Sequence, residues 1–295
     1  MGALFGGLLQ EAGYPVVLLD VDPVHIAAIN DHGLYLRNDA GERHIPVRAA
    51  RAREVTGPVD LLLVFTKANQ TIGALESARH LIGPGTWAMT VQNGLDTGSR
   101  IVAVVPERQI AVGMTNWPAE LLGPGRVASH GAGEVRLWSQ TGQPDAMLER
   151  IAAALSRAGL RCSLDPQVQV AIWEKVAFNA AMNAIAAVSG LNVGQMADSQ
   201  DIRAIAAAVV AETVAIARAA GVAVEEPRIR AAMEHAYATH REHQPSMLQD
   251  ILAGRRTEID AINGAIVARA EQQGLHAPVI QTLARLVRAM ESSRR

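Results

Sequence analysis

"MGALFGGLLQEAGYPVVLLD" (residues 1–20) carries apolar residues at helical spacing (Leu4, Phe5, Leu8, Leu9), then Gly13, then the run Val16, Val17, Leu18, Leu19 with Asp20 behind it. The order is helix, turn, strand, acid. In a dinucleotide-binding βαβ unit a strand and a G-x-G-x-x-G turn precede this helix, and a carboxylate about 20 residues beyond the turn binds the ribose. Only Met1 and Gly2 correspond to the tail of such a fingerprint. The same residues also suit an amphipathic helix capping another kind of sheet, so later segments decide.

Composition narrows the classes. The chain has 295 residues, 49% of them hydrophobic, and a formal charge of −2, enough for two domains with real cores and no electrostatic pull toward nucleic acid or a membrane surface. It shows no basic block, no low-complexity tract, no uncharged apolar run long enough to span a bilayer and no basic leader before an apolar core. A cytoplasmic protein with no nucleic-acid or membrane partner is expected. The single cysteine, Cys162, excludes an intramolecular disulfide framework and reads as a buried apolar residue. Lysine is rarer than chance substitution for arginine suggests: Lys67 and Lys175 stand against 25 arginines. A compact, titratable ammonium retained at two places points to sites where a guanidinium cannot serve.

Strand and helix patterns alternate to about residue 160. Residues 59–65 and 86–91 are short apolar runs of the kind buried on both faces of a parallel sheet, followed by helical segments near 69–82 and 95–104. A further strand lies at 109–114, and three extended pieces (117–122, 126–130, 134–138) suggest an antiparallel extension. From residue 144 the pattern becomes helical: 144–158, 166–188, 200–220, 225–239, 245–253, 257–273 and 278–291. The expected architecture is α/β: an N-terminal Rossmann-like doubly wound sheet lacking its first strand (residues 1–162) and a C-terminal all-helical domain (163–295), with ligands in a cleft at the carboxyl ends of the strands.

Lys67 follows the strand at 59–65, and Gln92–Asn93–Gly94 follow the next, so both belong at that carboxyl edge. Lys175, Asn179 and Asn183 are spaced four and four along one stripe of a helix whose intervening residues are apolar. A solvated face normally carries more charge than two amides and a lysine, and a partly buried lysine donates a proton near neutral pH. Thr257 is placed to cap a helix opening with Glu258 and Asp260. Helix-dipole complementarity accounts for Asp260, whereas for Glu258 it competes with a site role.

The stretches "GALFGGLLQEAG", "DLLLVFTKANQT", "VQNGLD", "VGMTNWPAELLGPGRV", "WEKVAFNAAMNAIAAVSG" and "PSMLQDILAGRRTEIDAINGAIV" together resemble the ketopantoate reductase (2-dehydropantoate 2-reductase) family over nearly the whole chain. The resemblance implies reduction of 2-dehydropantoate to pantoate, a step toward pantothenate and coenzyme A, with a nicotinamide cofactor and no metal. It makes Lys175 the proton donor to the developing alkoxide, and Asn179, Asn183 and Ser246 the groups that hold the substrate. Asn93 would touch both nicotinamide ribose and substrate, Glu258 would bind the ribose, Ala119 would lie against the cofactor, Lys67 near its phosphates, and Gly2 in the remnant of the fingerprint. A small 2-oxo acid is the expected partner, with a homodimer as the assembly.

Three departures shape further expectations. The family's substrate-contacting asparagine falls on Val193, with Asn192 one residue early, which favours as an alternative a reductase of another small 2-oxo acid or carbonyl compound. The family usually takes NADPH, but its phosphate-contacting basic residue falls on Val21, and Asp20 suits the ribose hydroxyls of NADH while repelling a 2′-phosphate. NADH is therefore expected. The third departure is the opening: about ten residues encoding a strand and G-x-G-x-x are expected in frame before Met1, without which pyrophosphate binding would be weak. A non-catalytic relative that has lost cofactor binding is the alternative of another class, opposed by the intact Lys175, Asn179, Asn183, Ser246 and Glu258.

Overall fold

The structure, a computed structural model, describes residues 1–293 and divides into two units: Met1–Gln92 with Thr97–Val168, and Asn93–Asp96 with the chain from Gln169 onward. The first unit runs α1 (Gly2–Glu11), β1 (Val17–Leu19), α2 (Pro23–His32), β2 (Leu34–Asn38), β3 (Gly41–Ile45), β4 (Arg48–Ala50), β5 (Leu61–Val64), α3 (Thr71–Ser77), β6 (Trp87–Thr90), α4 (Thr97–Ile101), β7 (Ile110–Thr115), β8 (Glu120–Gly123), β9 (Arg126–Ser129), β10 (Val135–Ser139), α5 (Ala146–Arg157) and β11 (Cys162–Leu164). The α/β reading with a helical second part holds.

Among the described residues the strands form three sheets. β5, β6 and β7 run parallel, β10 joins β7 antiparallel with Leu137 opposite Gly113, and β11 closes the order β11-β10-β7-β6-β5. β1 and β4 form a parallel pair, Leu18 opposite Ala49. The extended pieces expected to prolong the main sheet separate: β10 does so, but β8 and β9 join the β2–β3 hairpin in a second sheet ordered β3-β2-β9-β8. That hairpin is amphipathic, with Leu34 and Leu36 buried and Tyr35 and Arg37 only half-buried on the other face, so it needs its own partner strands for its apolar face.

Helix α1 is the hub of this core. Phe5 lies 4.8 Å from Phe65, ring centre to ring centre. A methyl group on Gly6 would stand 2.4 Å from Leu18 Cδ2, and one on Gly7 would stand 2.7 Å from Leu34 Cδ2, so two adjacent glycines let the helix approach β1 and β2 closely. Cys162 is half-buried and desolvation pushes its thiol up to about 12, which leaves it unreactive.

The second unit is helical: α6 (Val168–Ser189), α7 (Val193–Asp198), α8 (Gln200–Ala219), α9 (Glu226–Thr239), α10 (Ser246–Leu252), α11 (Asn263–Gln272) and α12 (Pro278–Ser292). Helix α8 packs against α12, and Glu212 of α8 accepts from the Val279 and Ile280 amides at 3.0 Å, capping α12 in trans. The helix expected over 257–273 begins only at Asn263. Thr257 Oγ1 accepts from the Ile259 amide at 3.1 Å, and Ile262, at φ −100° and ψ −88°, breaks the helical path, so 258–262 is a run of turns. Asp260 pairs with Arg288 of α12 at 2.7 Å instead of complementing a helix end. Among the described residues no helix is long and apolar enough to cross a membrane.

Leu137, fully buried at the centre of the β10–β7 pair, tests the packing of the first unit. Leu137→Ala should cost about 2–5 kcal/mol through lost burial and a residual cavity, seen as a lower urea midpoint for that unit. A loss below about 1 kcal/mol would show that the site collapses freely.

Candidate active site

Helix α6 is built almost wholly from small and apolar residues, with Val176, Ala177, Ala180, Ala181, Met182 and Ala184 buried. Into this surface it sets the stripe of Lys175, Asn179 and Asn183. Asn179 and Asn183 are only 9% and 7% exposed, and the Asn179 side-chain amide has no hydrogen-bond partner among the described residues. Its hydrogen-bonding capacity is open to a polar ligand or to water. The Asn183 amide donates to Ser246 Oγ at 3.5 Å, a long contact that joins the stripe to the first residue of α10.

Lys175 is partly buried. Desolvation draws its ammonium down from the ordinary 10.5 to about 8, and the charge of the Glu258 carboxylate acts in the opposite sense. Glu258 also accepts from the Asn93 amide at 3.3 Å. Because the segment at 258–262 is turned rather than helical, Glu258 is not a first-turn acid, and the helix-dipole account of it falls away. The second unit thus brings together Asn93, Lys175 and Glu258 in one chain of interactions, and Asn183 with Ser246 in another.

Supports that the sequence reading passed over surround this group. Asn263, fully buried at the start of α11, donates from Nδ2 to the Ala180 carbonyl of α6 at 3.2 Å while its Oδ1 has no partner among the described residues. Asp250, 7% exposed, accepts from Arg255 Nε at 3.0 Å, and the Thr257 amide donates to Glu291 at 2.6 Å, fixing the chain just ahead of Glu258. The sequence signal was the string of polar residues in "RRTEIDAING", where Thr257 and the acids drew notice and Asn263 did not. Asn192 caps α7, exchanging hydrogen bonds with Gln195, while Val193 is buried with an apolar side chain.

In the first unit, Asp20 ends β1 with its side chain exposed. Its Oδ1 accepts from the Val21 and Asp22 amides at 2.7 and 2.9 Å, and Oδ2 remains without a partner among the described residues. The cap of α2 is Asp22, which accepts from the Val24 amide at 2.9 Å, so Asp20 is not needed there. Val21 is 79% exposed. Lys67 opens the turn after β5, which Gln92 braces by donating to Thr71 Oγ1 at 2.9 Å and to the Thr66 carbonyl, while Arg100 donates to the Ala68 carbonyl at 2.7 Å. Gly2 stands in the first turn of α1, where a methyl group would meet Phe65 at ordinary contact distance. Ala119 sits half-buried in the turn before β8, where Ser129 Oγ holds the Pro118 carbonyl at 2.7 Å. An exposed carboxylate at the end of β1, with one oxygen available, suits a ribose diol.

Comparison with known proteins shows the family. The family described as "Ketopantoate reductase PanE/ApbA" matches residues 1–141, and "Ketopantoate reductase PanE/ApbA C terminal" matches residues 167–291. The 2-dehydropantoate 2-reductase of Streptococcus pyogenes serotype M6 is 32% identical over 293 residues, covering 99% of this chain and 95% of the relative. Among solved structures, D-mandelate dehydrogenase with NADH and anilino(oxo)acetate superposes with a TM-score of 0.93 at 31% identity, covering 98% of this chain and 95% of that one. A PanE/ApbA family ketopantoate reductase from Ralstonia eutropha JMP134 gives a TM-score of 0.90 at 29% identity over 99% and 97% of the two chains. Matched by both halves of the family's description and sharing its architecture, the chain belongs to the ketopantoate reductase family.

Proposed function

We propose that the chain is an NAD(P)-dependent oxidoreductase that reduces 2-dehydropantoate to pantoate. The observation that carries this reading is the α6 stripe, where a desolvated lysine and two amide side chains of low exposure line up on an apolar helix. A bound nicotinamide supplies the hydride. Lys175 Nζ gives its proton to the carbonyl oxygen as negative charge develops there, and the amine formed is tolerated because the site is already poorly hydrated. Asn179, Asn183 and Ser246 hold the carboxylate and hydroxyl of the substrate, orienting the carbonyl. Asn93 and Glu258 receive the nicotinamide ribose, Ala119 lies against the cofactor, Asp20 binds the other ribose with Gly2 near the pyrophosphate, and Lys67 neutralises phosphate charge.

A second reading, another small 2-oxo acid as substrate, draws support from one residue. Val193 brings a buried apolar side chain where the family resemblance has an asparagine, and the similar fold of D-mandelate dehydrogenase fits the same direction. Turnover of NADH or NADPH, followed by nicotinamide fluorescence, with 2-dehydropantoate and with an aryl 2-oxo acid separates the two. Higher kcat/KM for 2-dehydropantoate supports the first reading, and the reverse order supports the second.

Lys175→Ala should lower kcat by about two to four orders of magnitude with cofactor affinity nearly intact, and Lys175→Arg should not restore it. Since the protonated form is the donor, kcat for reduction should fall as pH rises through about 8. Turnover near wild type in either variant, or a rate still climbing at pH 9, would remove the lysine from this role.

NADH is the preferred cofactor in this proposal. Asp20 repels a 2′-phosphate and exposed Val21 offers it no partner. Asp20→Ala combined with Val21→Arg should reverse the preference toward NADPH. A wild-type preference for NADPH of about tenfold, equivalent to about 1.4 kcal/mol, would show that another cation outweighs Asp20.

A further inference from the structure

The segment Asn93–Asp96 belongs to the helical unit although the chain on both sides of it belongs to the other. Its attachment is specific. Gly94 has φ 106°, and a methyl group there would stand 2.3 Å from the Ala261 carbonyl oxygen and 2.9 Å from its carbon, main-chain atoms that cannot turn aside. The next amide, Leu95, donates to that same carbonyl at 3.1 Å. Asp96 adopts φ 57°, a conformation that residues with side chains rarely take, and its carboxylate meets Arg269 of α11 at 2.6 Å. One end of the segment is therefore pressed to the turn that carries Glu258, and the other end is tied to the helix that this turn begins.

The Asn93 amide reaches Glu258 at 3.3 Å, near the outer limit of a useful hydrogen bond. A contact of that length does not hold its own geometry, so a shift of the segment by a few tenths of an ångström breaks it. We propose that Gly94, Asp96 and Arg269 are positioning residues, a clip that holds Asn93 onto Glu258 and so sets the affinity of the site for the nicotinamide ribose. The proposal rests on the reading of the Asn93–Glu258 pair as the cofactor's partner, and none of the three residues touches the reacting atoms. The Asp96–Arg269 pair is half exposed, so its loss alone has a modest effect; the Gly94 contact is between main chains and has a large one.

The test uses the full chain with NADH as the probe, titrated by nicotinamide fluorescence and followed in steady-state turnover, beside hydrogen exchange at the Leu95 amide. Arg269→Gln and Asp96→Asn should each raise the Kd and KM for NADH about two- to fivefold, with kcat changed less than about twofold and the double variant no worse than either single. Arg269→Lys, which keeps the charge, should recover most of the affinity. Gly94→Ala should raise the Kd by more than about tenfold, or 1.4 kcal/mol, and Leu95 exchange should quicken in every variant that loses affinity. Unchanged Kd and Leu95 exchange in Arg269→Gln and Asp96→Asn, or additive losses in the double variant, would overturn the clip, whether or not Gly94→Ala folds. A wild type that binds NADH without reducing 2-dehydropantoate would count against the substrate reading alone. If the wild type binds no NADH, the cofactor reading fails, and the clip fails with it as a determinant of affinity.

Discussion

A lysine ammonium held partly out of water, opposed by one carboxylate, is the constraint around which the helical unit is arranged. Desolvation pulls Lys175 toward neutrality and Glu258 resists, leaving its ionisation near 8. Each side of that balance has a structural source. The alanine-rich surface of α6 removes water from the lysine, while the Thr257 and Asp250 contacts hold the turn from which Glu258 acts. The arrangement weighs on folding at neutral pH. Between about 8 and 10.5 the unfolded chain keeps a proton on this lysine that the folded one has released, so the contribution of Lys175 to stability becomes more favourable as pH rises through that window.

Much of this was legible because it is periodic or rare. Two lysines among so many arginines, and amides recurring every fourth residue on an apolar helix, are patterns that survive without knowledge of the fold. Helices α6, α8, α9 and α12 follow from the same periodicity. What escaped depends on neighbours far along the chain. The turn at 258–262 reads as helix because its residues allow one, but the Asn263 side chain bonded to Ala180, the Ile262 backbone and the Ala261 carbonyl given to Leu95 hold another path. The β2–β3 hairpin carries an alternating pattern, Leu34 and Leu36 inward, that a search for wholly apolar parallel strands passes over. Partition of the strands into three sheets is likewise a matter of pairing, which no local pattern specifies.

In the proposed reading the two units contribute different chemistry. In the first, the proposed cofactor contacts lie at strand ends, where side chains emerge from a fixed sheet: Asp20 after β1 and Lys67 after β5. Asp20 does double service, one oxygen ordering the Val21 and Asp22 amides and the other facing outward, so the carboxylate is oriented before any ligand arrives. In the second, the candidate site lies on side chains of one helix and one irregular turn, and the fully buried Asn263 keeps an unsatisfied oxygen there. Such groups cost stability and are what a binding site retains for its ligand.

The most direct measurement is the titration of the Lys175 amine itself. With only two lysines in the chain, lysine labelled with carbon-13 at Cε gives two resonances, and Lys67→Arg assigns them. The account predicts a Lys175 resonance that titrates near 8 and moves lower still in Glu258→Gln, where the opposing charge is gone. A Lys175 amine that titrates at its ordinary 10.5, unmoved by Glu258→Gln, would contradict it.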